Sequence, residues 1–94
     1  MPSVFVKHRN SDFDKWKAVF DSNEPARRAA GVTGHSLHRD ADDPDVTIVA
    51  LRVKDLAKAR EFATSDELRE VMKRAGAEGP PEMWFTEDIE EKKY

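Results

Sequence analysis

The sequence predicts an α+β domain: a four-stranded antiparallel sheet with its helices on one face. Two observations lead there. A strand–helix–strand plan occurs twice within 94 residues, and a short polar turn containing a proline joins the two halves. The first half is Ser3–Arg9, Asp12–Ala30 and Val32–Arg39, and the second is Asp45–Val53, Asp55–Ala75 and Glu82–Asp88. A third observation concerns assembly. The last two strands are apolar at positions of both parities, whereas an antiparallel sheet with one wet face alternates apolar and polar residues.

Taken in order, Val4, Phe5 and Val6 are β-prone and bounded by Pro2 and the turn-like Asn10-Ser11-Asp12. Ser11 then stands as N-cap with Asp14 three residues on, a capping-box-like pair. Phe13, Trp16, Val19 and Phe20 recur at helical spacing and predict the buried stripe. Pro25 should break this helix near Asn23-Glu24, and a short continuation, Ala26–Ala30, should end at Gly31. Val32–Arg39 and Asp45–Val53 flank Asp40-Ala41-Asp42-Asp43-Pro44 and read as a β-hairpin. Asp55 caps a helix carrying Leu56, Ala59 and Phe62, and Thr64-Ser65 interrupts it. Leu68, Val71, Met72 and Ala75 give the stripe of a second segment, terminated by Gly76 and Gly79-Pro80-Pro81. Met83–Glu87 lies at the heart of the last strand, and a charged tail runs from residue 89 to the end. Right-handed βαβ units joined by a hairpin give the strand order four–one–three–two, the ferredoxin-like βαββαβ arrangement.

The bulk numbers bound the function. A single domain over residues 1–94, 38% hydrophobic and 37% charged, has a small core for its surface. With no cysteine there are no disulfides, thiol nucleophiles or zinc–thiolate sites. The net charge of −3, with cations scattered among acids, predicts no nucleic-acid partner. Apolar runs are far below the roughly 20 residues that cross a bilayer, so no membrane association is expected. No basic flank precedes an apolar stretch at the N-terminus, and the expected location is cytoplasmic. Since one sheet with two apolar faces needs cover, a second copy of the chain is the expected partner, giving a homodimer.

Three histidines, His8, His35 and His38, titrate near neutrality without help. His8 shares parity with Val4 and Val6 and so belongs to an apolar layer at its strand's C-terminal end. It is a candidate general acid, base or orienting hydrogen-bond donor; the competing reading is a structural histidine near a strand end. His35 is the second acid–base candidate. His38, three positions on, points to the opposite face beside the turn, so the two cannot chelate one metal. Trp16, Phe20 and Trp84 are candidate walls for a flat aromatic ligand, with plain core as the competing reading. The Asp40–Asp45 cluster lacks the glycine and glutamate of an EF-hand and reads as a solvated turn. Arg27-Arg28 could bind an anion or a carboxylate substrate, with a solvated helix face as the favoured reading. No glycine-rich phosphate loop and no Gly-x-Ser-x-Gly element is present.

The stretch from Asp12 to Asp21 (Asp-Phe-Asp-Lys-Trp-Lys-Ala-Val-Phe-Asp), then Arg27-Arg28-Ala29-Ala30-Gly31-Val32-Thr33-Gly34-His35 and Asp40-Ala41-Asp42-Asp43-Pro44, resembles small bacterial proteins of the dimeric α+β barrel superfamily. These are relatives of antibiotic-biosynthesis monooxygenases, including cyclase-like members. The resemblance implies a homodimer whose sheets face each other as a barrel, with a cavity between sheet and helices in each subunit. It further implies a small apolar or aromatic, polyketide-like ligand and cofactor-free cyclisation or oxygenation, or else a non-catalytic ligand-binding or stress-associated dimer with a filled cavity. His8 and His35 would then be the acid–base candidates, with Trp16, Phe20 and Trp84 as walls. Two departures stand out. Cofactor-free oxygenases of the superfamily surround substrate with an asparagine, a tryptophan and a tyrosine, but the one tyrosine here is Tyr94, in the tail. The haem-degrading branch carries a proximal histidine on its second helix, and Asp55–Ala75 contains none, so no cofactor is expected.

Overall fold

A computed structural model describes residues 1–94. Its elements run β1 (Pro2–Arg9), α1 (Phe13–Ser22), α2 (Glu24–Ala29), β2 (Val32–Arg39), β3 (Val46–Val53), α3 (Leu56–Ala63), α4 (Asp66–Arg74) and β4 (Glu78–Glu87). The four strands form one antiparallel sheet in the order β2-β3-β1-β4, the ferredoxin-like arrangement that the doubled pattern predicts.

Register decides which side chains meet the helices. Val4 lies opposite Leu51 and Phe85, Val6 opposite Val49 and Met83, and His8 opposite Thr47. Because strand side chains alternate, these residues share the helix-covered face. There Val4, Val32, Val49, Leu51 and Val53 pack with Trp16 of α1, Ala59 of α3 and Ala75 just past α4 in one buried cluster. The other face is mixed rather than uniformly apolar. A row Ser36–Ala50–Phe5–Trp84 crosses all four strands, next to the row His38–Ile48–Lys7–Glu82. Phe5 and Trp84 on that face are 37% and 46% exposed.

Both helical stretches break where the sequence signals a break. Pro25 occupies the first turn of α2, where its missing N–H is one of the helix's orphan donors in any case. Ser65 caps α4 by accepting from the Leu68 N–H at 3.2 Å, and Asp55 caps α3 by accepting from Ala57 and Lys58. Gly31 and Gly76, at φ +87° and +86°, close α2 and α4 in the left-handed region.

Two expectations need correction. The cap of α1 is Asp12, not Ser11: the helix begins at Phe13, and the Asp12 carboxylate accepts from the Lys15 N–H at 3.1 Å. The last strand runs Glu78–Glu87 rather than Glu82–Asp88, so Gly79-Pro80-Pro81 lies inside it. It is an edge strand with one unpaired side, and a register slip opposite His8, between Lys7 and Arg9, absorbs the prolines' missing donors.

Candidate functional site

The helix-covered face of β1 ends in His8, and the chain then turns through Asn10 into α1. His8, Asn10 and Thr47 are all at least nine-tenths buried. The Asn10 backbone N–H donates to the Asp45 carbonyl at 2.8 Å, which pins the turn to the hairpin loop. The Asn10 side-chain amide approaches His8 Nδ1 at 3.4 Å and Thr47 Oγ1 at 3.5 Å. With the amide nitrogen donating, Nδ1 accepts, and the tautomer of the neutral ring that satisfies this contact carries its proton on Nε2. That Nε2 is buried and has no protein partner. Burial also pushes the His8 pKa below its ordinary value, which keeps the ring neutral near pH 7. In that tautomer the buried ring presents an N–H donor at Nε2.

From His8 an aromatic row extends along α1. The His8 and Trp16 ring centroids are 4.8 Å apart, and Trp16 stacks on Phe20 at 4.9 Å with 21° between planes. Phe13 completes the cluster at 5.8 Å from Trp16. Beyond Phe20 comes Arg27 of α2, its guanidinium carbon 3.7 Å from the Phe20 centroid. Helical spacing explains Trp16 and Phe20. Arg27 follows Phe20 by seven positions, so it continues the buried stripe across the Asn23 break. The expectation of a solvated face is thereby overturned for Arg27, which is 4% exposed, and holds for Arg28, which stays in water and pairs with Glu24 at 3.1 Å.

Between this row, the sheet and the α3–α4 layer lies a cavity of about 80 Å³. Val4, Val6, Val49 and Leu51 line it from the sheet, Ala59 and Phe62 from α3, and Leu68, Val71 and Met72 from α4. Apart from His8, Asn23 and Arg27 its lining is hydrophobic. None of the α4 residues is fully buried.

The candidate residues separate in space. His8, Trp16 and Phe20 meet at the cavity. His35 is exposed, touching the Phe20 ring edge-on at 4.9 Å, and does not line the cavity. Trp84 stands on the opposite face of the sheet as the cross-strand partner of Phe5. His38 is exposed and bonds Ser36 Oγ at 2.9 Å. Thr47 escaped the reading of the sequence, Asn10 was read as part of a turn, and Arg27 as part of a solvated face. For Arg27 the seven-residue step from Phe20 was the available signal, and for Thr47 its register opposite His8. No group of three or more His, Cys, Asp or Glu side chains is arranged to hold a metal ion. No helix is long and apolar enough to cross a membrane.

The ferredoxin-like sheet with its helices on one face defines a structural class, and solved structures share that fold. An antibiotic-biosynthesis-monooxygenase-like protein of Bordetella bronchiseptica superposes with a TM-score of 0.76 at 16% identity, over 94% of this chain and 96% of that one. One of the same description from Caulobacter crescentus gives 0.72 at 14% identity, covering 95% and 90%. A variant of SnoaB, a cofactor-independent oxygenase of Streptomyces nogalater, gives 0.70 at 15% identity, covering 96% and 95%. No protein-family model and no curated protein matches the sequence. The chain has the fold of the antibiotic-biosynthesis-monooxygenase-like structures.

Proposed function

We propose that this protein is a cytoplasmic homodimer that binds a small, mostly apolar, aromatic molecule in the helix–sheet cavity of each subunit. His8 would hydrogen-bond a ligand oxygen through Nε2. One observation carries the reading: a buried imidazole whose proton-bearing nitrogen has no protein partner lines an otherwise hydrophobic cavity. A donor so placed would stabilise negative charge on a ligand carbonyl oxygen. That is the demand of cofactor-free cyclisation or oxygenation of a polyketide-like substrate, and SnoaB is a cofactor-independent oxygenase on this fold. Trp16 and Phe20 would hold the ring. His35, exposed beyond Phe20, would meet substrate only outside the cavity, and Trp84 would serve the contact between subunits instead of the ligand.

A second reading, a non-catalytic or stress-associated dimer with a filled cavity, draws on the cavity's size. At about 80 Å³ it is smaller than the ~150 Å³ apolar cavity that admits benzene. Binding a ring would require α4 to move outward. A thermal-shift screen of quinols, anthrones and short β-diketones, followed by NMR of the His8 ring, tests both readings. The proposal expects stabilisation by at least one class together with a shift of the His8 Nε2 resonance. Stabilisation by none, with His8 unmoved, would establish the filled-cavity reading.

A further inference from the structure

Arg27 is an anomaly for a residue in an apolar layer. Its Nη1 donates to the Phe20 carbonyl at 2.6 Å, whereas Nη2 is buried with no protein partner. Phe20 presents its ring face to the cation, a favourable but partial compensation. The two acids whose charges reach Arg27 are Glu24 and Asp21, and each is engaged elsewhere, Glu24 by Arg28 and Asp21 by Lys17. The guanidinium is therefore a buried cation without a carboxylate of its own, an arrangement that is unfavourable until an anion completes it. It lines the same cavity as His8. On its outward side Arg27 also borders a depression shared with Arg28 and Lys54, where Glu24 is the one acid. Those cations favour the approach of an anion.

We propose that the cavity is specific for aromatic carboxylates, with the ring beside Trp16 and Phe20 and the carboxylate on the free edge of the Arg27 guanidinium. This rests on the ligand-binding reading of the cavity and adds the charge of the ligand and the residue that selects it. Guanidinium suits the role because its planar fork matches a carboxylate, and a neutral amide of the same shape would leave the cation unpaired.

Calorimetric titration at pH 7 with benzoate against benzamide, and cinnamate against cinnamamide, tests it. The expected result is that each carboxylate binds at least about tenfold more tightly than its amide. Arg27→Gln should remove that preference, and Arg27→Lys should retain part of it. Should Arg27→Gln not fold, the wild-type ratio decides together with the Arg27 side-chain nitrogen resonances, which carboxylates should shift and amides should not. Equal affinity for acid and amide, or a preference that survives in Arg27→Gln, overturns the role of Arg27 and leaves the cavity reading standing. No binding by any of the four compounds overturns the carboxylate proposal, while the thermal-shift screen decides the cavity reading separately.

Discussion

Enlarging Ala59 to leucine tests whether the space between sheet and helices is open. Ala59 is the buried residue of α3, 3% exposed, and lines the cavity. Leucine adds three carbons, worth about 2.4 kcal/mol at ~0.8 kcal/mol for each buried methylene. Fixing its rotamer takes back about 0.5–1 kcal/mol, and the difference in helix propensity between Ala and Leu is only a few tenths. The net expectation is a gain of about 1.5 kcal/mol. For a domain of this size that raises Tm by roughly 6–12 °C. Reversible thermal unfolding, with denaturant midpoints as a second measure, reads the change directly. A fall in stability would refute the reasoning, because overpacking a layer already full costs about 1–3 kcal/mol. The same variant separates the location of the ligand from the presence of the space. A stabilised Ala59→Leu protein that bound aromatic ligands unchanged would put their site somewhere other than this cavity.

Burial lowers the folded-state pKa of His8, so its contribution to stability is complete above the unfolded value of about 6.5 and is lost as pH falls from there to the lower folded pKa. Denaturant midpoints measured downward from pH 7.5 should show that decline in the wild type, and His8→Leu should lose it; an unchanged profile would mean that His8 takes up its proton without penalty. Asp12→Ala should cost about 1 kcal/mol by uncapping α1, whereas Ser11→Ala should be close to neutral. The reverse ranking in urea unfolding would return the cap to Ser11. Trp84→Glu, which puts a charge on the exposed apolar row of the sheet, should shift the proposed dimer toward a 10.7 kDa monomer in light scattering at micromolar concentration. A wild type already monomeric there would defeat the dimer itself.

What the sequence made legible was whatever local chemistry decides. Alternation and helical spacing placed six elements and their order, because each apolar stripe has one face on which it can be buried. Asp55, Gly31 and the Thr64-Ser65 break were visible for the same reason: caps and left-handed turns depend on the residue that adopts them. The start of β4 was not visible. Gly79-Pro80-Pro81 has the composition of a turn, and only its position on the sheet edge lets it lie in a strand. The site was legible from one side. His8, Trp16 and Phe20 announced themselves through strand parity and helical spacing. Arg27 was hidden because charge predicts exposure, and its burial follows from where α2 restarts after Asn23. Trp84 went astray through its parity: its register opposite Phe5 turns it to the face that Val4 and Val6 do not share.

The proline pair in β4 also bears on how the molecule keeps its own company. A free sheet edge is a template on which another extended chain can be laid, the step that begins strand-by-strand aggregation. Pro80 and Pro81 are adjacent, so one of their two missing backbone hydrogens falls on the outer margin of β4, and the displaced register beside them bends the strand. An incoming strand would find a broken ladder there. Growth edge to edge is thus discouraged at this border by the same residues that made the strand hard to recognise.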